Sequence, residues 1–295
     1  LSVSLKDVKD DSFSGSFEIS QNALLVLLDF IKNNKAKKAE KLVEECNAIG
    51  KEIIKSQPNM VNIRRKISTV IYHMKRLLKS KKSIDEIKKN SQAKIEEIIN
   101  VSQTKKKKIG NIGAKLIFNH SKILTISSSS LIKEIFSAAH LLKRKFTVYC
   151  LESRPHNEGR ALAYELANKG IPSVLTSDAM MGQVLSEVNM VISGADRIYE
   201  SGFVNKTGTL PLAIASKTYQ IPFYIAAETD KILKEIDRSL RFYPQDPGEI
   251  YKGKHKNLSV MNLYFEAITF EYVSKIICED GVFDTGEFVN WYLKD

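Results

Sequence analysis

The chain has 295 residues, with 45 Lys and Arg against 34 Asp and Glu and a formal net charge of +11. That length holds one large domain or two modest ones, with ample apolar content for a core. No run reaches the roughly 18 to 20 consecutive apolar residues of a membrane span. The opening residues lack the basic-then-apolar order of a signal peptide, so a cytoplasmic setting is expected. Cys46, Cys150 and Cys278 are odd in number and far apart, which speaks against a disulfide framework or zinc cluster and suits a reducing compartment.

The charge is unevenly placed. Up to Gly110 there are 24 basic and 13 acidic residues, whereas the rest of the chain balances. A basic third of this kind offers a surface to RNA or an acidic protein. Aromatic residues do not interleave with the lysines as stacking on bases requires, so a solvated, Lys-rich helical surface is the simpler reading.

From Gln21 to about Asn100 the pattern is helical. Leu24, Leu27, Leu28 and Ile31 keep helix spacing, as do Ile63, Ile67, Ile71 and Met74. Asn33 and Asn34 break the first of these helices, and Ser56-Gln57-Pro58-Asn59 ends another before a start at Met60. A long polar helix, roughly Ser83 to Gln103, carries Ile84, Ile87, Ile95, Ile98 and Ile99 on one side, and four lysines at 105–108 mark a hydrophilic junction. Residues 1–108 are therefore expected to form a helical N-terminal domain.

After Gly110 short β-rich runs alternate with helical stretches. The runs are 122–127, 146–151, 173–176, 189–193 and 222–226, and helices fall near 130–143, 159–169, 180–187 and 209–219. This alternation predicts parallel βαβ units, and hence an α/β, Rossmann-like parallel-sheet domain over 109–295. A run near Asn262–Ala267 and a helix from Phe270 to Glu279 are expected to close the sheet.

Ligands of open parallel sheets bind beyond the carboxyl ends of the strands. The residues that follow the predicted strands are polar throughout: Ser127 to Ser130, then Glu152 to Gly159, Ser177-Asp178, Gly194 to Arg197, Asn205 to Thr209, and Glu228 to Lys231. Such a rim suits a phosphorylated, hydroxyl-rich small molecule, because helix N-termini and hydroxyls hold phosphate oxygens while Lys and Arg neutralise them. No GxGxxG follows the first strand and no Walker A sequence occurs, so no nicotinamide or P-loop cofactor is expected. Plainer roles compete at each position. The serines can cap the helix beginning near Leu131, Arg154 can pair with Glu152, Gly202 and Gly208 can serve turns, and Asp178 reads best as an N-cap. The five histidines show no metal spacing, and Cys150, within a strand run, reads as a buried inert thiol.

The segments ESRPHNEGRALAYEL, SDAM, GADRIYESGFVNKTGTLPLAIASK and IPFYIAAETDK resemble, in order and spacing, the alpha, beta and delta subunits of initiation factor 2B. They are similar also to ribose-1,5-bisphosphate isomerase and methylthioribose-1-phosphate isomerase. The likeness is strong over about 120–280 and weaker at SQPNMVNIRRKI, 56–67. It implies a helical domain followed by a Rossmann-like domain that mediates dimerisation. In the isomerases a cysteine and the aspartate of the GAD motif interconvert an aldose 1-phosphate and a ketose. By this resemblance Asp196 holds the aspartate position, and Ser129, Ser130, Asn205, Lys206 and Lys231 fall where substrate is contacted; Arg154 stands on the same rim. Ser127 replaces the cysteine, with no base evident beside it in sequence. Gln57 stands in place of an arginine, and no arginine occurs near Ser14-Gly15-Ser16. The expected function is that of an alpha-type initiation factor 2B-like regulator, homodimeric, binding the alpha subunit of initiation factor 2 and keeping a sugar-phosphate or nucleotide pocket. The alternative is an aldose–ketose isomerase, and RNA binding is a lesser accompaniment.

Overall fold

The computed structural model describes residues 3–11, 14–58, 60–233 and 242–293. Asn59, part of the expected helix break, lies outside them, as do Leu1 and Ser2. The chain forms two compact units, Leu1–Lys105 and Lys106–Asp295.

The first unit is helical: α1 (Leu5–Asp10), α2 (Ser16–Asn33), α3 (Ala39–Ser56), α4 (Val61–Lys79) and most of α5 (Ile84–Ala114). Leu24, Leu27 and Ile31 on α2 and Ile63, Ile67 and Met74 on α4 are fully buried or nearly so, as a 3.6-residue period places them on one face. On α5, Ile87 and Ile95 are buried too. The start of α5 is fixed by a reciprocal cap. Ser83 N–H donates to Glu86 Oε2 at 2.9 Å, and Glu86 N–H donates to Ser83 Oγ at 3.3 Å.

The long helix expected over roughly Ser83 to Gln103 runs further, α5 continuing through the four lysines to Ala114. Lysine is a good helix former, and buried Ile109 and Ala114 draw the following turns into the core of the second unit. Gly110 and Gly113 permit that approach, since added Cβ atoms would stand 2.5 Å from Glu134 Cγ and 2.6 Å from Ile135 Cδ1. The division between the two units falls within this helix, at Lys105 and Lys106.

The second unit alternates strands and helices in chain order. They are β1 (Ser121–Thr125), α6 (Ser130–Leu141), β2 (Phe146–Leu151), α7 (Glu158–Asn168), β3 (Ser173–Thr176), α8 (Met181–Leu185) and β4 (Met190–Gly194). A hairpin of β5 (Arg197–Tyr199) and β6 (Gly202–Lys206) follows, then α9 (Thr209–Thr218), β7 (Phe223–Ala226), β8 (Phe265–Thr269), β9 (Lys275–Cys278), β10 (Gly281–Phe283) and α10 (Thr285–Tyr292). The main sheet has the order β10-β9-β7-β4-β1-β2-β3 and is parallel except for β10. Its central strands are apolar on both faces, as helices packed on each side require. From β1 the chain steps outward to β2 and β3, then returns to the other side of β1 as β4. The switch point therefore lies between β1 and β4, where an open α/β sheet leaves a crevice.

The stretch 262–279 differs from expectation. β8 joins β5 and β6 in a separate three-stranded antiparallel sheet, and the expected helix over 270–279 is one 3₁₀ turn followed by β9. Ile276, Ile277 and Cys278 are buried between β7 and β10. A strand covered on both faces is a short continuous apolar run, which periodicity cannot tell from a buried helix.

Candidate functional site

The carboxyl ends of β1, β2 and β4 present the polar residues foreseen. Thr125 pairs with Cys150 across the parallel ladder, so Ser127 lies beside the residues two and three beyond Cys150. Ser127 and Ser153 both take left-handed backbone conformations, φ 66° and 65°. That region is uncommon for residues with a Cβ and costs about 1 kcal/mol or more each. It lets Ser127 N–H donate to Ser153 Oγ at 2.7 Å, while Ser153 Oγ donates to Leu151 O at 3.0 Å. Asp178 clamps the same loop, its two oxygens accepting from Ser153 N–H and Arg154 N–H at 2.8 and 2.7 Å. It is thus a loop clamp; Ser177 takes the cap position of the 3₁₀ turn.

The hydroxyl of Ser127 donates to Glu158 Oε1 at 3.0 Å. The same oxygen receives Lys206 Nζ at 3.0 Å, and the two side chains are only 10 % and 7 % exposed. Lys206 also lies over the Tyr264 ring, 5.2 Å from its centre. Tyr264 donates to Glu249, and His156 meets the same tyrosine edge-on. Burial holds the His156 imidazole below its ordinary pKa, Lys206 adding to the effect and Glu249 and Glu158 opposing it. Tyr264 is pushed well up by burial and by its bond to Glu249.

On β4 and β6 the arrangement is similarly closed. Asn205 is buried and its amide donates to Ser193 Oγ and Thr209 Oγ1, both at 3.0 Å, tying β6 to β4 and α9. Lys231 is buried; its ammonium donates to Ala195 O at 2.6 Å and stands 3.9 Å from Asp196 Oδ1. Asp196 itself is partly open. Ser129 is the N-cap of α6 and Ser130 its first residue, yet the Ser129 side chain makes no cap bond. A Cβ on Gly194 would stand 2.9 Å from Ser129, so glycine at the end of β4 lets α6 begin this close to the sheet. Elsewhere on the rim, carboxylates of the chain itself fill the amide sites. Glu266 accepts from Gly208 and Leu210 at the start of α9, and Glu279 accepts from Thr229. Among the described residues no side chain of this kind caps the start of α6, where amides of a helix N-terminus suit an anion.

Arg154 is exposed, and the ion pair foreseen with Glu152 is not made. Glu152 pairs instead with Arg160, one turn into α7, at 2.6 Å. Gln57, in the first unit, donates through its side-chain amide to Val8 O and Asp11 O at 3.2 and 3.1 Å, a tether within that unit. Sequence reasoning missed Glu158 as the neighbour of Ser127. The residue stands inside the ESRPHNEGR segment, and the β1–β2 register was the signal that could have placed it. It also missed Glu249, in the 3₁₀ turn Pro247–Glu249, and Tyr264, just before β8; so short a turn leaves no periodic trace. Among the described residues no group of three or more His, Cys, Asp or Glu stands together as a metal site.

An open, mostly parallel sheet with helices on both faces and a polar rim at its switch point defines a Rossmann-like α/β domain, here joined to a helical unit. The chain belongs to the Initiation factor 2 subunit family, whose model matches residues 12–285. It is 33% identical over 248 residues to a translation initiation factor eIF-2B subunit 2-like protein of Pyrococcus horikoshii, covering 82% of this chain and 83% of that one. It is 28% identical over 283 residues to ribose 1,5-bisphosphate isomerase of Pyrococcus furiosus, covering 93% and 87%. The crystal structure of translation initiation factor eIF-2B from Pyrococcus horikoshii OT3 superimposes with a TM-score of 0.80 at 27% identity, over 97% of each chain. The family thus includes both eIF-2B-like proteins and sugar-phosphate isomerases. No helix among the described residues is long and apolar enough to cross a membrane.

Proposed function

We propose that this chain is a non-catalytic, eIF-2B alpha-type regulator that forms a homodimer in the cytoplasm, binds the alpha subunit of initiation factor 2, and holds a phosphorylated sugar or nucleotide at the rim. The observation that carries this reading is the state of Ser127. Where the isomerases are expected to use a thiol, this rim offers a hydroxyl already committed to Glu158, whose charge is matched by Lys206. All three cysteines are buried, and burial pushes Cys150, on β2, up to about 12. A serine hydroxyl is a far weaker acid than a thiol and needs a free base to act. The binding half of the reading is supported by the α6 N-terminus, where the Ser129 side chain makes no cap bond, and by partly exposed Asp196 as a group for sugar hydroxyls.

The Ser127–Glu158 hydrogen bond also favours one other reading, an aldose–ketose isomerase in which the carboxylate activates the hydroxyl. The two readings separate in one experiment. Calorimetric titration with ribose 1,5-bisphosphate should show binding that Ser129→Glu abolishes, by placing a negative charge at the α6 N-terminus, and incubation should leave the sugar unconverted. Turnover that disappears in Asp196→Asn would establish the isomerase instead. Absence of micromolar association with the alpha subunit of initiation factor 2 would remove the partner.

A further inference from the structure

At the opposite edge of the main sheet, beneath the amino ends of β1, β2 and β3, lies a cavity of about 660 Å³. Its wall carries Lys122, Lys143, Arg144, Lys145, His120 and His140, and not one Asp or Glu. Residues 111–295 balance their charges overall, so this is a local concentration and not a share of a general excess. Lys122 has a long contact of 3.4 Å to Glu187. For Lys143, Arg144 and Lys145 no ion pair occurs among the described residues.

Helix ends attract cations, and that alone would explain one or two of these side chains. Here the helix ends are already satisfied by main chain. At the end of α6, Arg144 N–H reaches Ala139 O and Lys143 N–H reaches His140 O; at the end of α7, Ile171 N–H reaches Leu166 O and Gly170 N–H reaches Ala167 O. Both are Schellman closures. In α7 the left-handed position is held by Gly170, φ 77°, as backbone ease dictates, but in α6 it is held by Lys143, φ 59°. His120, also left-handed at φ 69°, donates its N–H to the O of Lys145, just before β2, and Lys145 N–H is held by Asn119 Oδ1 at 2.9 Å. The cationic side chains therefore stand on a fixed backbone around a hollow floored by Phe146 and Ile171, and they are not spent on the helices. The volume falls within the range of small-molecule sites, roughly 300–1,000 Å³.

We propose that this cavity is a second binding site, distinct from the carboxyl rim, for a small molecule carrying two or more linked phosphate groups. Several converging cations with no acidic neighbour in the wall fit a compact polyanion better than a single phosphate. The test is binding of inorganic triphosphate and ATP to the full chain, measured by calorimetry in low and moderate salt. Wild type should bind both, and adenosine should not bind. Lys143→Gln/Arg144→Gln should lose at least tenfold in affinity, while Lys254→Gln/Lys256→Gln, an equal charge change on an exposed loop, should stay within twofold. Hydrogen-exchange protection by triphosphate should fall on 119–122 and 143–147. Equal losses in the two double variants, protection confined to 127–130 and 205–209, or affinity for single-stranded RNA without affinity for triphosphate would each overturn the proposal.

Discussion

Replacing Glu158 by Gln tests whether the buried Lys206–Glu158 pair organises the rim. The perturbation is nearly isosteric. It leaves an oxygen for the Ser127 hydroxyl but strips Lys206 of its counter-charge in a place where the ammonium is 7 % exposed. At 3.0 Å and an effective dielectric near 20, the Coulomb attraction lost is about 5 kcal/mol. Part of that attraction repays desolvation already incurred, and removing one partner of a buried pair typically costs about 3–5 kcal/mol. The Tyr264 ring beneath Lys206 softens the loss, which sets the expectation at about 3 kcal/mol. For a unit of this size that is a fall in midpoint of roughly 6–12 °C. Trp291 is the single tryptophan and belongs to α10 of the second unit, so its fluorescence reports on that unit. Glu158→Gln/Lys206→Met should recover about 2 kcal/mol relative to the sum of the two single variants. Additive singles, or a Glu158→Gln protein within about 1 kcal/mol of wild type, would refute the argument.

Other outcomes follow from the same geometry. Because His156 titrates lower folded than unfolded, the unfolded chain binds more protons below about pH 6.5. The second unit should therefore lose stability as pH falls from 7 towards 5, and His156→Gln should flatten that slope in Trp291-monitored denaturation. Buried Cys46 and Cys150, both pushed up to about 12, and buried Cys278 should stay silent to a thiol reagent at pH 8 until denaturant is added, when all three react. Gly159→Ala should cost at least about 3 kcal/mol, since its Cβ would stand 1.8 Å from Leu151 O. Circular dichroism melts of the purified variant measure that loss.

Much of this molecule was legible in its residues, and the illegible parts share a cause. The strands β1 to β4 and β7 and the helices between them lie within a few residues of expectation, because each is an apolar run of the right length bounded by polar turns. Asp196 falls just past β4, where the strand-end rule puts it, whereas Asn205 and Lys206 belong to β6 of the second sheet. Local reading could not supply partners. Lys206 meets Glu158 from 48 positions away, and Asn205 holds Ser193 and Thr209 instead of facing outward as a free amide. The Asp178 carboxylate reads locally as a cap but is used across 25 residues on the Ser153 loop. Hairpin β5–β6 has no counterpart among the expected strands, since β5 has only three residues and β6 is buried along its whole length, so neither shows alternation.

The neighbour of Ser127 also changes what the missing thiol means. Restoring it is a single substitution, Ser127→Cys, and on sequence alone that change should revive the acid–base thiol the resemblance implies. The structure argues otherwise. The new sulfur would stand where the serine oxygen donates to Glu158, and a carboxylate beside a thiol disfavours the thiolate. If Glu158 took the proton instead, buried Lys206 would lose its counter-charge. Ser127→Cys should thus react slowly with iodoacetamide at pH 7 and should not convert ribose 1,5-bisphosphate. Adding Glu158→Gln removes the repelling charge and leaves Lys206 as the nearest ion, which favours thiolate. Ser127→Cys/Glu158→Gln should alkylate at least tenfold faster than Ser127→Cys, against a background of buried native cysteines that do not react. Equal alkylation rates would mean that Glu158 does not govern the ionisation of this position, and isomerase turnover by Ser127→Cys alone would show that the serine was the only barrier to catalysis.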